Sequence, residues 1–372
     1  MFVGLTNTPR DYAWGSTTAI AELLGRPESG GPEAEYWLGT HHGSPSLVVG
    51  GTPGETLADL TSLPYIMKVL AAETPVSLQA HPSPAQAEEG FERENALGIP
   101  LDAPSRNYKD SHHKPELVYA ISEKFEALCG FRPVSATHEV LERLGDDPLV
   151  AEFRARLVDD SSLPAVFEWL ISQGAGVPEL LERVVSLATS LDGIEFTTIG
   201  TLARDYPGDP GILISLLLNR VTVAAGEVVY LPAGNIHSYL HGLGIEVLAA
   251  SDNVLRGGLT PKYIDVPELL RVLDFRPLPV PYLAPVSLAT GVRVFRPDVP
   301  DFELVVIQPA GETVKFTPPT DSILLCTVGA STVVGATGSF ALGVGESAYV
   351  SKDEGELSFS GTGTIFLATA QG

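Results

Sequence analysis

The chain predicts a mainly β fold interrupted by a helical insertion, and three features of its 372 residues carry that prediction. Residues 1–132 and 220–274 consist of short runs of alternating apolar and polar side chains, broken by glycine and proline, the pattern of half-buried strands. Residues 134–218 switch to apolar spacings of i, i+3 and i+4, as in Thr137–Leu144, Leu163–Ile171 and Val177–Leu187. Finally, Gly226–His237 and Gly345–Glu356 share one turn register, so a second strand-rich module is expected near the C-terminus.

Taken in order, residues 1–133 and 219–275 form one β module, split by the helices of 134–218. Asp146, Asp147, Asp159, Asp160 and Gly174 punctuate those helices. The run Pro277-Leu-Pro-Val-Pro281-Tyr-Leu-Ala-Pro285 reads as a semi-rigid connector to the last module, 286–372. At 372 residues the chain is long for one domain of roughly 100–150 residues, so two or three modules are expected.

The stretch Gly226-Glu-Val-Val-Tyr-Leu-Pro232-Ala-Gly234-Asn-Ile-His237 combines a strand, a tight reversal and a returning strand. Proline fixes its own φ and donates nothing to a sheet, while Gly234 can take the positive φ of a sharp turn. The spacing resembles the second motif of cupin jelly rolls, in which the returning histidine points into a barrel. Upstream, Val76-Ser-Leu-Gln79-Ala-His81 alternates like a strand, which places Gln79 and His81 on one face, roughly 6.5–7 Å apart. Two such side chains can lean onto one ion, because zinc bonds to nitrogen and oxygen run about 2.0–2.2 Å. A carboxylate should complete the set. Glu88, Glu89 and Glu116 are candidates. The first two sit in a charged, turn-rich stretch, whereas Glu116 opens the apolar run Glu116-Leu-Val-Tyr-Ala-Ile, where an uncompensated carboxylate is costly to bury. Glu116 is favoured. In the C-terminal echo Ser351, Asp353 and Glu356 replace the proline, glycine and histidine, so that module is read as a degenerate jelly roll without a metal.

Further motifs extend the pattern: Tyr12-Ala-Trp14-Gly-Ser16, Glu35-Tyr-Trp37-Leu-Gly39-Thr-His41, Lys68-Val-Leu-Ala-Ala, His113-Lys114-Pro-Glu116, and Ser251-Asp252-Asn253-Val-Leu-Arg256-Gly-Gly-Leu-Thr260-Pro-Lys262. Together, over most of residues 1–275, they resemble type I mannose-6-phosphate isomerase, a zinc-dependent cupin family. The resemblance implies zinc held by Gln79, His81, Glu116 and His237, with Arg256 as an essential cation. It implies interconversion of mannose 6-phosphate and fructose 6-phosphate by proton transfer between C1 and C2 through an enediol, feeding mannose and GDP-mannose metabolism. Ser111-His112, Leu248 and His42 depart from the usual family pattern without removing a ligand or Arg256.

Such chemistry needs proton carriers and phosphate anchors. Lys114 lies two residues before Glu116 and shares its face, which suits a proton-transfer role or a phosphate contact; His113 is a lower-ranked acid/base on the opposite face. Asp252 can orient Arg256 or accept a proton. Lys68, Ser77, Tyr239, Glu246 and Lys262 are expected to bind substrate. Arg256 offers a planar fork for an oxyanion.

The net charge of −23 excludes nucleic acid as a partner. It does not exclude a phosphorylated hexose, because surface charge is screened beyond about 8 Å and the scarce cations Lys68, Lys114, Arg256 and Lys262 fall in the motifs. No segment reads as a signal peptide or membrane helix, and Cys129 and Cys326 lack disulfide or metal spacing, so a cytoplasmic enzyme is expected. Oligomeric state is unreadable; a monomer is compatible with everything above. Other readings compete: a cupin oxygenase or another metal isomerase, and a non-catalytic sugar-binding cupin. An oxygenase has no use for the basic loop 251–262, and turnover separates the last.

Overall fold

The 13-residue strand His237–Ala249 is the hinge between two layers in the computed structural model, which describes residues 1–372. Its C-terminal part pairs antiparallel with Tyr65–Ala72 on one side and Glu116–Ala120 on the other. Its N-terminal part pairs with Lys124–Phe131, and His237 also faces Gln79. The register slips between Tyr239 and His241, and Gly242 follows with φ +133°. Such a bulge lets one strand leave one layer and enter the next. A Cβ at Gly242 would meet Phe125 Cδ2 at 2.8 Å and Phe125 Cα at 2.9 Å. Gly242→Ala should therefore cost about 2–3 kcal/mol, measurable as a lower denaturant midpoint; an unchanged midpoint would remove the bend from the account.

The turn at Pro232–Gly234 forms as its chemistry requires. Gly234 has φ +78°, and its N–H donates to the His81 carbonyl at 2.9 Å, so the turn ties together the two histidine-bearing segments. Around His81 the strand is shorter than its alternation suggests, spanning only Gln79–Ala80. The flanking residues instead hydrogen-bond to more distant backbone, Val76 N–H to Tyr239 and Leu78 N–H to Gly258.

Between Phe131 and Leu218 the chain is helical, with apolar faces packed into one core that includes Phe153, Phe167, Phe196 and Leu213. Glu88 and Glu89 also lie on a helix, Pro84–Ala96, not in a turn. Ser83 and Gln86 cap each other's backbone at its start, with proline at the first helical position. Glu89 is exposed and pairs with Arg271 at 2.9 Å, so neither residue joins a metal set.

The C-terminal module packs an eight-stranded sheet against a four-stranded one around Val294, Leu324, Phe359 and Leu367. The strand Phe2–Thr6 belongs to the larger of these sheets, paired with Ser347–Val350, and Leu47–Val48 extends it. The segment 1–133 is thus divided between the two β modules: alternation marks a strand but does not name its partner. Tyr119 joins the modules, edge-on to Phe295 at 5.7 Å and to Phe366 at 4.9 Å. Glu356, at the degenerate position, is exposed and pairs with Lys315 at 2.6 Å. No helix is long and apolar enough to cross a membrane.

Candidate metal centre and active site

Period-two alternation and the glycine turn bring His81, Glu116 and His237 to one point. Gln79 and His237 oppose each other across an antiparallel pair, so their side chains share a face. The Glu116 carboxylate oxygens lie 3.3 Å from His81 Nε2 and 3.4 Å from His237 Nε2, and all three residues are buried. Each imidazole is oriented through its other nitrogen: His81 Nδ1 is 2.8 Å from the Asn253 carbonyl oxygen and His237 Nδ1 3.1 Å from that of Asn235. A carbonyl only accepts, so both Nδ1 atoms carry the proton and both Nε2 lone pairs are free.

Those two Nε2 atoms are buried without a hydrogen-bond partner, a costly arrangement unless something binds there. Burial, aided by the charge of Lys114, pushes His81 down to about 4, so its ring is neutral near pH 7. Burial works against the charged form of Glu116, yet the ammonium of Lys114 holds its carboxyl well below the usual range. Lys114 Nζ donates to Glu116 Oε1 at 2.7 Å. Two imidazoles converging on one carboxylate suit a divalent metal, and the orphaned Nε2 atoms fit it; Gln79, in register with His237, lines the adjoining cleft with Glu116 and offers an amide oxygen.

Beside this centre opens a cleft of about 1020 Å³. Arg256 is paired in register with Gln79, and its Nη1 donates to Ser77 Oγ at 3.1 Å. Lys262 is depressed chiefly by the charge of Arg256, then by burial and by Lys109. Arg256, Lys262 and Lys109 all line the cleft, and none forms an ion pair with a carboxylate. This is a local positive patch in an acidic protein.

Lys68 differs from the other cations. It lies beneath the Trp37 ring at 4.5 Å and is paired with Glu246 at 3.2 Å and Glu35 at 3.4 Å. Tyr239 donates to Glu246 at 3.0 Å, extending a buried polar wall of the cleft. Its carboxylate partners balance the charge of Lys68, so it lines the cleft as part of this polar wall and not as a free cation.

Asp252 lines the cleft but does not orient Arg256; its partners are His41 and His42, each with Nε2 at 3.4 Å from Oδ2. His41 Nδ1 accepts from the Gly43 N–H at 3.1 Å, so its Nε2 carries the proton and presents it to Asp252. That is the reverse of His81 and His237, and it makes His41 a donor where they are ligands. Burial opposes ionisation of Asp252, but the hydrogen bond from His41, with Lys114 nearby, holds its carboxyl below the usual range.

His113 is a correction. Its Nε2 lies 2.8 Å from Asp301 Oδ2 in the C-terminal module, and it does not line the cleft. Alternation across Pro115 turns Lys114 inward only by turning His113 out. Lys109 lies outside every motif, and His41 closes one without a role attached to it. Lys109 reaches the cleft because Asn253 Oδ1 accepts from its backbone N–H at 2.7 Å, a contact spanning 144 residues. The 251–262 motif was the only hint of such a partner.

The family described as phosphomannose isomerase type I, catalytic domain, matches residues 2–134. The chain is 37% identical to the mannose-6-phosphate isomerase of Salmonella typhimurium and 36% identical to that of Escherichia coli, over 97% of this chain and 97% of each relative. It is 30% identical to the human mannose-6-phosphate isomerase over 82% of both chains. The solved structure of the Salmonella typhimurium protein bound to fructose 6-phosphate and zinc is similar with a TM-score of 0.92 at 35% identity, covering 100% of this chain and 99% of that one.

Proposed function

The chain belongs to the mannose-6-phosphate isomerase family, and on that premise we propose how its own residues carry out the reaction. It interconverts mannose 6-phosphate and fructose 6-phosphate with a zinc cofactor. Gln79, His81, Glu116 and His237 would hold the ion. Bound there, zinc supplies a Lewis acid that stabilises negative charge developing on the sugar oxygens.

The phosphate sits against Lys262 and Lys109. Arg256 stands between that patch and the metal centre, beside Gln79 and near enough to Lys262 to depress it. Asp252, kept ionised by His41, accepts the proton from one carbon and returns it to the other through an enediol. Lys114, hydrogen-bonded to Glu116 at the metal side, gives a proton to the ring oxygen as its bond to the anomeric carbon breaks, and takes one back from the anomeric hydroxyl as the carbonyl forms. The wall of Tyr239, Glu246 and Lys68 offers polar contacts to hydroxyls. The buried thiols of Cys129 and Cys326 are both free, in keeping with a cytoplasmic enzyme.

One observation carries the reading: two buried, unpartnered Nε2 atoms flank one carboxylate beside a patch of unpaired cations. Zinc-replete protein should form fructose 6-phosphate from mannose 6-phosphate in a coupled assay, and absence of turnover would sink the assignment. A pH profile tests the proton acceptor. An ionised Asp252 is the active form, so kcat/KM should fall as pH drops through its lowered pKa. His41→Asn removes a group that stabilises the anion, which raises that pKa and moves the acid limb to higher pH. An unmoved limb would rule out Asp252 as the base.

A further inference from the structure

We propose that the loop closing the helical region, through Tyr206 and Asp209, is a positioning element that sets where Arg256 and Lys262 stand; the inference rests on the substrate-contact roles given to those two cations. Neither residue belongs to the metal centre; Asp209 lies outside the cleft, and Tyr206 lines it with its hydroxyl bonded to Pro75. Both act on the two chain segments that frame Arg256.

On one side, Asp209 gathers three backbone N–H groups. Its Oδ1 accepts from Gly211 at 2.7 Å and Leu259 at 2.8 Å, and its Oδ2 from Thr260 at 3.2 Å. Leu259 lies between Arg256 and Lys262 with φ +54°, a left-handed backbone that a residue with a side chain adopts only when its surroundings hold it. Here the hold is visible. The Leu259 side chain is buried in the core of the helical region, and its amide is fixed by Asp209. Gly258 has φ +120°, and a Cβ there would sit 3.0 Å from Gly211 Cα, so the two backbones are in direct contact.

On the other side, Tyr206 OH donates to the Pro75 carbonyl at 2.6 Å, two residues before Ser77, the hydroxyl that accepts from Arg256. The two pinned segments are themselves joined: Leu78 N–H donates to Gly258 at 3.0 Å and Gly257 N–H to Leu78 at 2.7 Å. A glycine-rich substrate loop is free to wander by itself. Anchored at both flanks by one rigid helical region, it holds its cations in place before substrate arrives, and a misplacement of ~1 Å in such groups can cost as much as ~10²-fold.

The test uses full-length, zinc-replete enzyme with Asp209→Ala, Asp209→Asn and Tyr206→Phe. Asp209→Ala should raise KM for mannose 6-phosphate, and Ki for competing inorganic phosphate, by about tenfold or more, with zinc content unchanged. Asp209→Asn keeps an acceptor for Gly211 and Leu259 but sets an amide N–H against that of Thr260, so an intermediate shift is expected; Tyr206→Phe should move both constants in the same direction. If Asp209 served only the fold, apparent kcat would fall with the active fraction while KM and Ki stayed within twofold, and that result overturns the proposal. Should Asp209→Ala not fold, Asp209→Asn decides by the same split. Lys262→Ala separates the two readings. A KM shift in the Asp209 variants alongside unchanged phosphate inhibition in Lys262→Ala upholds the positioning role and removes Lys262 from the phosphate. The converse overturns the positioning role alone.

Discussion

Arg256→Ala should lower kcat by about 10²–10³-fold while zinc stays bound, the scale for removing one preorganised donor at developing charge. Three facts set this expectation. Arg256 is opposite Gln79, so it borders the reacting end of the cleft. Burial alone depresses its pKa, with no carboxylate partner to neutralise it. Its one side-chain hydrogen bond is to Ser77 Oγ, which leaves other donors of the guanidinium free for an oxyanion. Because Arg256 is not a ligand, metal content separates a lost catalytic cation from a collapsed site. A near-normal kcat in a zinc-loaded variant would exclude the role. Arg256→Lys should recover only part of the rate, since an ammonium keeps the charge but not the planar fork.

His237→Ala should abolish both zinc retention and turnover. Removing partners that only orient a ligand typically costs 10–100-fold in metal affinity, and removing the ligand itself costs more. Without His237 the ion loses one of its two imidazole donors, while Glu116 keeps its pairing with Lys114 at 2.7 Å, which competes with the ion for the carboxylate. Elemental analysis after gel filtration checks the expectation, and stoichiometric zinc in the variant would refute the ligand assignment. Chelation of the intact enzyme should reproduce the loss of activity, with recovery on adding zinc. In the apo protein the two Nε2 atoms remain buried and unpartnered, so a lower melting temperature than the zinc form is also expected.

Much of this site was legible along the chain, and the reason is local. The Pro232–Gly234 turn, the alternation that puts Gln79 and His81 on one face, and the poor fit of an isolated carboxylate to the run beginning at Glu116 depend on residues within a few positions of each other. Their consequences hold at short range whatever the rest of the chain does. The same applies to the helical texture of 134–218. The helix Pro84–Ala96 carried an equally local signal in Ser83-Pro84 and Gln86, which the surrounding charge obscured.

Other assignments hinged on who arrives from far away. Lys68 looked like a free cation until Glu35 and Glu246, 33 and 178 positions away, closed on it. His113 turned from candidate acid to a contact with Asp301 of the other β module. Lys109 entered the cleft because Asn253 carries its backbone there. The tautomers of His81 and His41 are opposite because one ring nitrogen meets a carbonyl and the other a backbone N–H. By itself, the sequence determined the mainly β architecture and the helical interruption, both written in periodicity and turn chemistry, and it marked Gln79, His81, Glu116 and His237 as candidate donors. Only the tertiary structure decided which charges stay free, which way each imidazole donates and which helical residues hold the substrate loop, because burial and pairing belong to the packed molecule and not to any stretch of chain.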